Sequence, residues 1–130
     1  MQAYISISYS KRKQLDEELR AIIESLTRLN ISAFVFVDRY SFGAGQEHEM
    51  MTRAFAAIDL SDLLIAEVSD KAIGIGVEVG YAKARGKTII YVRRATAEHS
   101  STVSGASDFQ VIYNNVDDLQ QQIRKILPRQ

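Results

Sequence analysis

The sequence of 130 residues contains no cysteine, which excludes disulfide scaffolds, cysteine nucleophiles, iron–sulfur clusters and thiolate zinc sites. It also carries no net charge, because 16 Lys and Arg residues are matched by 16 Asp and Glu residues. A broad basic field that would bind polymeric nucleic acid or an anionic membrane is therefore excluded. Any site must be built from oxygen, nitrogen or backbone groups.

Long hydrophobic runs are also absent, since no stretch approaches the ~20 apolar residues that span a bilayer. The first residues, MQAYISISYSKRKQ, contain too short an apolar run for a signal peptide and lack its basic start. We therefore expect a cytoplasmic protein without membrane contact. Its length suits one domain, and 46% hydrophobic residues can build a single core.

The apolar pattern alternates short β-type runs with longer helical ones, which is typical of βαβ units around a parallel sheet. It predicts strands at 3–8, 33–37, 62–68, 88–92 and 109–113. It predicts helices over 13–29 with Ser10 as a possible N-cap, 47–58, 76–85 ended by Gly86, and 116–127 capped by Asn115. The stretches 38–45 and 93–108 are predicted to be loops, and the second is long enough to be functional.

This alternation predicts an α/β protein with a flavodoxin-like (Rossmann-like) doubly wound sheet of five parallel strands, a three-layer α/β/α single domain over residues 1–130. The expected strand order is 2-1-3-4-5. In such sheets the ligand binds beyond the carboxyl ends of strands one and three. The side chains expected there are Ser6, Ser8, Ser10 and Lys11 from the first turn, and those of 69–78 from the third.

The segment GIGVEVG, residues 74–80, is the most informative in the chain. Gly74 and Gly76 would let backbone approach a ligand, while Glu78 is predicted in the first turn of a helix. A helix N-terminus stabilises an ionised carboxylate by roughly 0.3 to 1 kcal/mol, which suits a nucleophile. Alternatively, Glu78 completes the helix cap and the glycines permit close packing. A dinucleotide fingerprint would need a third glycine at Val79.

The turn SISYSKRK places hydroxyl groups and then basic residues at the start of a helix. Ser8, Ser10 and Lys11 could together bind a phosphate group, although the Walker pattern is missing. A solvated basic turn is the equally open alternative.

No metal site is expected. Glu47, His48 and Glu49 do not form an HExxH motif, and His99 stands isolated in a polar stretch. The pair Asp38-Arg39 could be a loop ion pair or could contact a base.

The segment EVSDKAIGIGVEVGYAKARGKTIIYV resembles the strand, glycine turn and catalytic helix of the nucleoside 2-deoxyribosyltransferase superfamily. The chain is most similar to the branch of 2′-deoxynucleoside 5′-phosphate N-hydrolases, because AEV, GIGVEVG, SSTVSGA and FQV recur there in order. The resemblance implies an enzyme that needs no cofactor and cleaves the base–sugar bond of a nucleoside or nucleotide. Its mechanism would be that of a retaining glycosidase, in which a carboxylate forms a glycosyl ester.

The same resemblance implies roles for individual residues. Glu78 would be the nucleophile that attacks C1′ of the sugar, and Tyr4 would lie beside it. Ser8, with the turn around Ser10, would cradle the 5′-phosphate. Ser100 would reach the phosphate in the site of a neighbouring subunit, which implies a homodimer.

Three positions depart from the family pattern. Ala54 and Ala72 replace residues that are acidic or polar in the family, and Ser10 replaces an arginine of the phosphate turn, with Lys11 following. Asp70 is the expected replacement acid, because it lies in the same turn as Glu78, whereas Asp59 is rotated away on its helix. We therefore expect slow turnover of natural substrates and faster cleavage when the leaving group needs no proton.

Three functions stay open at this point. The leading one is hydrolysis of nucleoside 5′-monophosphates, and the enzymatic alternative is transfer of deoxyribose between free bases. The other alternative is a non-catalytic nucleotide-sensing or interaction module, because ISYS also resembles the first strand of TIR domains. Release of free base from a panel of nucleotides would separate an enzyme from a sensor.

Overall fold

A computed structural model describes residues 1–129 and contains one sheet of five parallel strands. The strands, in chain order β1 to β5, are Gln2–Ile7, Ser32–Val35, Leu63–Glu67, Thr88–Arg94 and Phe109–Tyr113. Their order across the sheet is β2-β1-β3-β4-β5. This confirms the predicted doubly wound fold and strand order.

Within residues 1–129, six α-helices follow the strands and cover both faces of the sheet. In chain order, α1 to α6 are Asp16–Arg28, Phe36–Arg39, Glu47–Asp59, Ile73–Ala84, Ser101–Gly105 and Val116–Ile126. One apolar core lies between the sheet and α1 with α6, and the other lies between the sheet and α3 with α4. The central strand β3 is buried along its whole length, as its continuous run of apolar residues requires.

The second strand is shorter than predicted, because it ends at Val35 and the chain then turns into the short helix α2. The helical turn keeps Phe36 buried against Tyr40 and Phe42, with ring centroids 5.2 and 6.0 Å away. Packing of these rings over the end of the sheet therefore overrides the strand preference of the sequence AFVFV. The predicted loop 38–45 consequently begins inside a helix.

The first helix also begins later than predicted. A 3-10 turn over Arg12–Leu15 precedes α1, and Leu15 occupies the N-cap position. The expectation that Ser10 caps this helix is wrong. Three acidic residues in the first turn of α1 complement the helix dipole instead, namely Asp16, Glu17 and Glu18.

Helix α4 begins at Ile73, three residues before the predicted start. Gly74 and Gly76 therefore lie inside the helix despite their low helix propensity. Its predicted end is confirmed, since Gly86 follows with a φ of 75°. The cap of α6 is confirmed too, because the Asn115 side chain accepts the backbone N–H of Asp118 at 2.9 Å. The stretch 93–108 is not one open loop, since it contains the end of β4 and the helix α5.

Candidate functional site

Glu78 extends from α4 toward the first strand, where two buried side chains hold its carboxylate. Tyr4 and Ser6 lie two residues apart on β1, so both point to the same face of the sheet. The Tyr4 hydroxyl donates to Oε2 of Glu78, and the Ser6 hydroxyl donates to Oε1 at 2.6 Å. Both carboxylate oxygens are therefore fixed in position by the sheet.

The ionised form of Glu78 is held by these hydrogen bonds and not by the start of its helix. Glu78 lies in the second turn of α4, so the expectation that it occupies the first turn is wrong. Burial raises the pKa of Glu78, and the hydrogen bonds from Ser6 and Tyr4 lower it by a smaller amount. Burial, together with the charge of Glu78, also raises the pKa of Tyr4. The phenol of Tyr4 therefore stays protonated and keeps donating to the carboxylate.

A cavity of about 290 Å³ opens beside Glu78. It lies where the doubly wound fold places ligands, beyond the carboxyl ends of β1 and β3. Most of its walls are apolar or aromatic; they are formed by Ile7, Tyr9, Phe36, Val37, Tyr40, Phe42, Met50, Met51, Ala54, Ala72, Gly74, Ile75 and Glu78. An apolar cavity can hold a flat ring such as a nucleobase, and a carboxylate fixed at its edge can attack the carbon of a sugar attached to that ring.

Ser8 and Asp70 form a second polar pair near the same edge of the sheet. The buried Ser8 hydroxyl donates to Oδ2 of Asp70 at 2.6 Å, and the Ser10 hydroxyl lies 3.3 Å from that of Ser8. Lys11 is exposed next to them. The structure thus brings Ser8, Ser10 and Asp70 together, but it places Asp70 on Ser8 and outside the lining of the cavity.

Arg12, the second basic residue of this turn, forms ion pairs with acidic side chains. Arg12 forms ion pairs with Asp16 and with Asp38, the latter at 2.6 Å. Arg39 lies over the ring of Phe34 at 4.8 Å. Asp38 and Arg39 therefore have separate partners, and the expected pair between them is replaced by these contacts.

The two glycines named from the sequence separate in the structure. Gly74 lines the cavity and Gly76 does not, although both are exposed and an added Cβ would meet no atom within 4 Å at either position. Ser100 lies outside the lining of the Glu78 cavity, and its hydroxyl accepts the backbone N–H of Val103 at 3.4 Å and caps α5. It borders a second cavity that shares Ala72 and Ile75 with the first.

Ala54, Ala72 and Asp59 are the positions at which the family pattern or the sequence raised the question of an acid. Ala54 and Ala72 both line the cavity, so their methyl groups stand where a longer side chain would face a ligand. Asp59 lies outside the cavity lining, where it accepts hydrogen bonds from Tyr81 at 2.8 Å and Arg85 at 2.9 Å. The Asp59 carboxylate is therefore bound to Tyr81 and Arg85 and does not line the cavity.

Sequence reasoning missed the roles of two polar residues. The first is Ser6, which was expected at the ligand edge of the sheet but not as a partner of Glu78; the alternation of Tyr4, Ser6 and Ser8 along β1 could have assigned it to the same face as Tyr4. The second is Glu67, a fully buried residue at the end of β3. Its carboxylate accepts the Tyr113 hydroxyl at 2.7 Å and the backbone N–H of Ser69 at 2.6 Å. No periodicity reveals Glu67, because it interrupts an apolar strand.

No cluster of three potential metal-ligating side chains occurs among residues 1–129. His99 is exposed, and its Nδ1 lies 3.2 Å from the Tyr91 hydroxyl. Within the same part of the chain, no helix is long and apolar enough to cross a membrane.

Comparison with solved structures identifies proteins of the same fold. A CMP N-glycosidase of Clostridium botulinum superimposes with a TM-score of 0.73 at 20% identity, over 98% of this chain and 100% of that chain. A 2-deoxyribosyltransferase of Bacillus psychrosaccharolyticus superimposes with a TM-score of 0.75 at 14% identity, over 100% and 98% of the two chains. At these identities the likeness establishes the fold.

Sequence comparison identifies more specific relatives. The 5-hydroxymethyl-dUMP N-hydrolase of Branchiostoma floridae is 34% identical over 71 residues, which are 53% of this chain and 68% of that protein. A relative from Thermofilum pendens is 29% identical over 85 residues, which are 62% of this chain but only 59% of that protein. The family model for nucleoside 2-deoxyribosyltransferases matches residues 4–121, from Tyr4 of β1 into α6. The chain therefore belongs to the nucleoside 2-deoxyribosyltransferase family of enzymes.

Proposed function

We propose that this protein hydrolyses the N-glycosidic bond of nucleoside 5′-monophosphates, with Glu78 as the nucleophile. The observation that carries the proposal is the Glu78 carboxylate, which Tyr4 and Ser6 hold at both oxygens on the wall of an apolar cavity. The names of the relatives support it, since one is a nucleotide N-hydrolase and one fold neighbour is a CMP N-glycosidase.

The reaction begins when an oxygen of Glu78 attacks C1′ of the sugar. The bond between C1′ and the base nitrogen breaks, its electron pair leaves with the base, and a glycosyl ester forms on Glu78. Water then attacks C1′ and its hydroxyl stays on the sugar, the bond from C1′ to Glu78 breaks to restore the carboxylate, and the remaining proton of the water neutralises the departed base. Tyr4 and Ser6 keep the carboxylate oriented through both steps, which reduces the entropy lost on reaching the transition state. The reaction as written consumes only nucleotide and water.

Ser8, Ser10 and Lys11 are the proposed contacts of the 5′-phosphate. The two hydroxyls lie 3.3 Å apart at the end of β1, and exposed Lys11 follows them in the chain. Asp70 now accepts the hydroxyl of Ser8, so a phosphate oxygen would replace the Asp70 carboxylate on that hydroxyl. Charge-assisted hydrogen bonds to phosphate favour a monophosphate over the bare nucleoside.

A homodimer is also proposed, with the exposed side of α4 as the contact. Ile73 is 89% exposed and Val77 is 45% exposed one turn later, and Gly76 and Gly80 lie on the same side of the helix. Small residues at these positions let a second helix approach closely. Ser100 borders a neighbouring surface cavity of about 270 Å³ together with Ile73, so it lies where a second subunit would add to the site.

The dimer is tested by light scattering on the wild type and on Val77→Asp. We expect a dimer for the wild type and a folded monomer for the variant, because a buried unpaired charge opposes association. Ile112→Asp is the matched control and should leave the dimer intact, because Ile112 is 40% exposed and lies on β5, outside α4. A monomeric wild type would contradict the role of Ser100 in a partner's site.

The proposed activity is tested by incubating the protein with nucleosides and nucleoside 5′-monophosphates and resolving the products by chromatography. We expect free base and sugar 5-phosphate in equal amounts. Formation of a new nucleoside only when a second free base is added would identify deoxyribosyl transfer instead. Nucleotide binding without any product would identify the sensing module.

A further inference from the structure

The wall of the cavity beside Glu78 has very few groups that could donate a proton. Among the described residues that line it, Glu78 is the only charged one, and the hydroxyl-bearing side chains are the phenols Tyr9 and Tyr40. Tyr9 is 72% exposed. Ala54 and Ala72 offer only methyl groups. A base that departs into this cavity is therefore met by apolar surface, and among the described lining residues Tyr40 is the one partly buried hydroxyl donor.

Aromatic rings form the other main part of the wall. Phe36, Tyr40 and Phe42 pack against one another with centroid distances of 5.2 to 6.0 Å, and all three line the cavity. The faces of such rings attract cations. Tyr40 already illustrates this, because the Arg53 guanidinium, outside the cavity lining, lies 5.5 Å from its centroid.

The cavity therefore joins one half-buried negative charge to aromatic faces. Removing a carboxylate from water is costly unless it is both hydrogen-bonded and paired with a positive charge. The hydroxyls of Tyr4 and Ser6 supply only donors to Glu78. A ligand with a positive ring in the cavity would supply the missing charge and would stack on the aromatic faces.

The scarcity of proton donors in the cavity wall also affects how the base departs. A neutral base takes the electron pair of the broken bond and must gain a proton to leave as a stable molecule. A base that is a ring cation leaves as a neutral molecule, so it gains nothing from a general acid. From this geometry we infer that the preferred substrates are nucleoside 5′-monophosphates with a positively charged base, such as pyridinium or N7-alkylated purine nucleotides.

This inference rests on the proposed function and keeps its chemistry. Glu78 attacks C1′, the bond from C1′ to the cationic ring nitrogen breaks, and its electron pair neutralises the ring. Water then hydrolyses the glycosyl ester. The overall products are the neutral base, the sugar phosphate and one proton.

The rate experiment compares N7-methylguanosine 5′-monophosphate with guanosine 5′-monophosphate, at a mildly acidic pH that keeps the methylated ring cationic. Because the methylated nucleotide is more labile without enzyme, the ratio of the two kcat/KM values is compared with the ratio of the uncatalysed rates. We expect the enzymatic ratio to equal or exceed the uncatalysed one. General acids accelerate reactions by about 10²–10⁴-fold, so an enzymatic ratio about a hundredfold smaller would reveal an acid and overturn the inference.

The binding experiment separates this inference from the proposed function. Calorimetry with Glu78→Gln and with wild type uses carbocyclic analogues of the two nucleotides, which cannot be cleaved, and so measures the affinity for both without turnover. We expect wild type to prefer the cationic nucleotide by about tenfold, and Glu78→Gln to lose much of that preference. Absence of turnover with both nucleotides would contradict the proposed function. Equal wild-type affinity for both would contradict the inference, whether or not turnover occurs.

Two variants test the remaining proton donors. Tyr40→Phe removes the phenol and Asp70→Asn removes the carboxylate that was expected from the sequence to act as an acid. We expect each substitution to change the rates of the cationic and neutral nucleotides by the same factor. A loss of tenfold or more that is confined to the neutral nucleotide would identify the acid and overturn the inference.

Discussion

Glu67, which is fully buried, and Glu78, which is half-buried, are two carboxylates with similar hydrogen-bond partners and very different access to a ligand. Each accepts a tyrosine hydroxyl, from Tyr113 and Tyr4 respectively, and each accepts one further hydrogen bond. Burial raises the pKa of both. Glu67 is fully enclosed, whereas Glu78 faces a cavity of about 290 Å³.

The comparison shows that a buried, hydrogen-bonded carboxylate is not by itself evidence of catalysis. Glu67 holds the turn after β3, because its Oε1 accepts the N–H of Ser69, whose hydroxyl in turn accepts the N–H of Arg94. It therefore connects two strand ends and has no space in front of it for a substrate. Glu78 has the same fixed geometry with one open side. The open side is the reason that Glu78, and not Glu67, is the proposed nucleophile.

The largest expected effect is on turnover in a matched pair of variants. Glu78→Gln should reduce kcat by several powers of ten, because the amide keeps the size but loses the nucleophile. Glu67→Gln makes the same chemical change in similar surroundings and should retain activity within about tenfold. Steady-state kinetics on both variants, with circular dichroism to confirm folding, measures the difference. Equal losses in the two variants would break the distinction between the two carboxylates.

The second effect is on stability and concerns Glu67. Glu67→Ala should lower the free energy of unfolding by about 3 kcal/mol, because it leaves the Tyr113 hydroxyl and the Ser69 N–H without their acceptor and opens a cavity. In Glu67→Gln the amide oxygen can accept the N–H of Ser69 while its NH2 donates to Tyr113, so the loss should be about 1 kcal/mol. Urea unfolding measures both. Equal stability of Glu67→Ala and wild type would show that the network contributes nothing.

The third effect concerns substrate recognition on the Glu78 side of the molecule. Ser8→Ala should weaken the preference for a monophosphate over its nucleoside by about 1.5–3 kcal/mol, since a charge-assisted hydrogen bond is lost. Ser25→Ala is a suitable control, because Ser25 is also buried but lies on α1. Calorimetry with the nucleoside and its monophosphate, in proteins that also carry Glu78→Gln to prevent turnover, measures the preference. An unchanged preference in Ser8→Ala would place the phosphate elsewhere.

The smallest effect is the pH dependence of stability. Since burial raises the pKa of Glu67 and of Glu78 above the usual 4.5, the folded state binds each proton more tightly than the unfolded state. That contribution to stability is present below about pH 4.5 and is lost as the pH rises through the folded pKa. The stability of Glu67→Gln and of Glu78→Gln relative to wild type should therefore increase as the pH rises from about 4.5 toward neutrality.

A residue with the opposite shift provides the control for this measurement. Hydrogen bonds from the Asn114 N–H and from Gln122 lower the pKa of Asp118 below its usual value. Its contribution is present above the unfolded pKa and is lost as the pH falls, so Asp118→Asn should become less stable than wild type as the pH rises. Urea unfolding at a series of pH values gives the sign for each variant. Parallel curves for all three variants would contradict the assigned shifts.

Much of the fold follows from local patterns in the sequence. The apolar runs predicted five strands and their order, and Gly86 and Asn115 marked helix ends where the structure has them. These features depend on backbone conformation and on which residues are apolar, both of which act over a few neighbouring residues. The starts of α1 and α4 were predicted less well, because Ser10 and Gly76 have propensities that tertiary packing overrides.

The sequence by itself determined that Glu78 and the serines of the first turn reach the same edge of the sheet, because parallel strands bring their carboxyl ends together. Only the tertiary structure decided the hydrogen-bond partners of Glu78 and Ser8. Tyr4 and Ser6 hold Glu78, while Asp70 lies on Ser8 instead of facing the cavity. Burial in the folded chain, and not the helix dipole, dominates the pKa of Glu78. Burial depends on residues far apart in the chain, so no local pattern could have revealed which carboxylate has an open side.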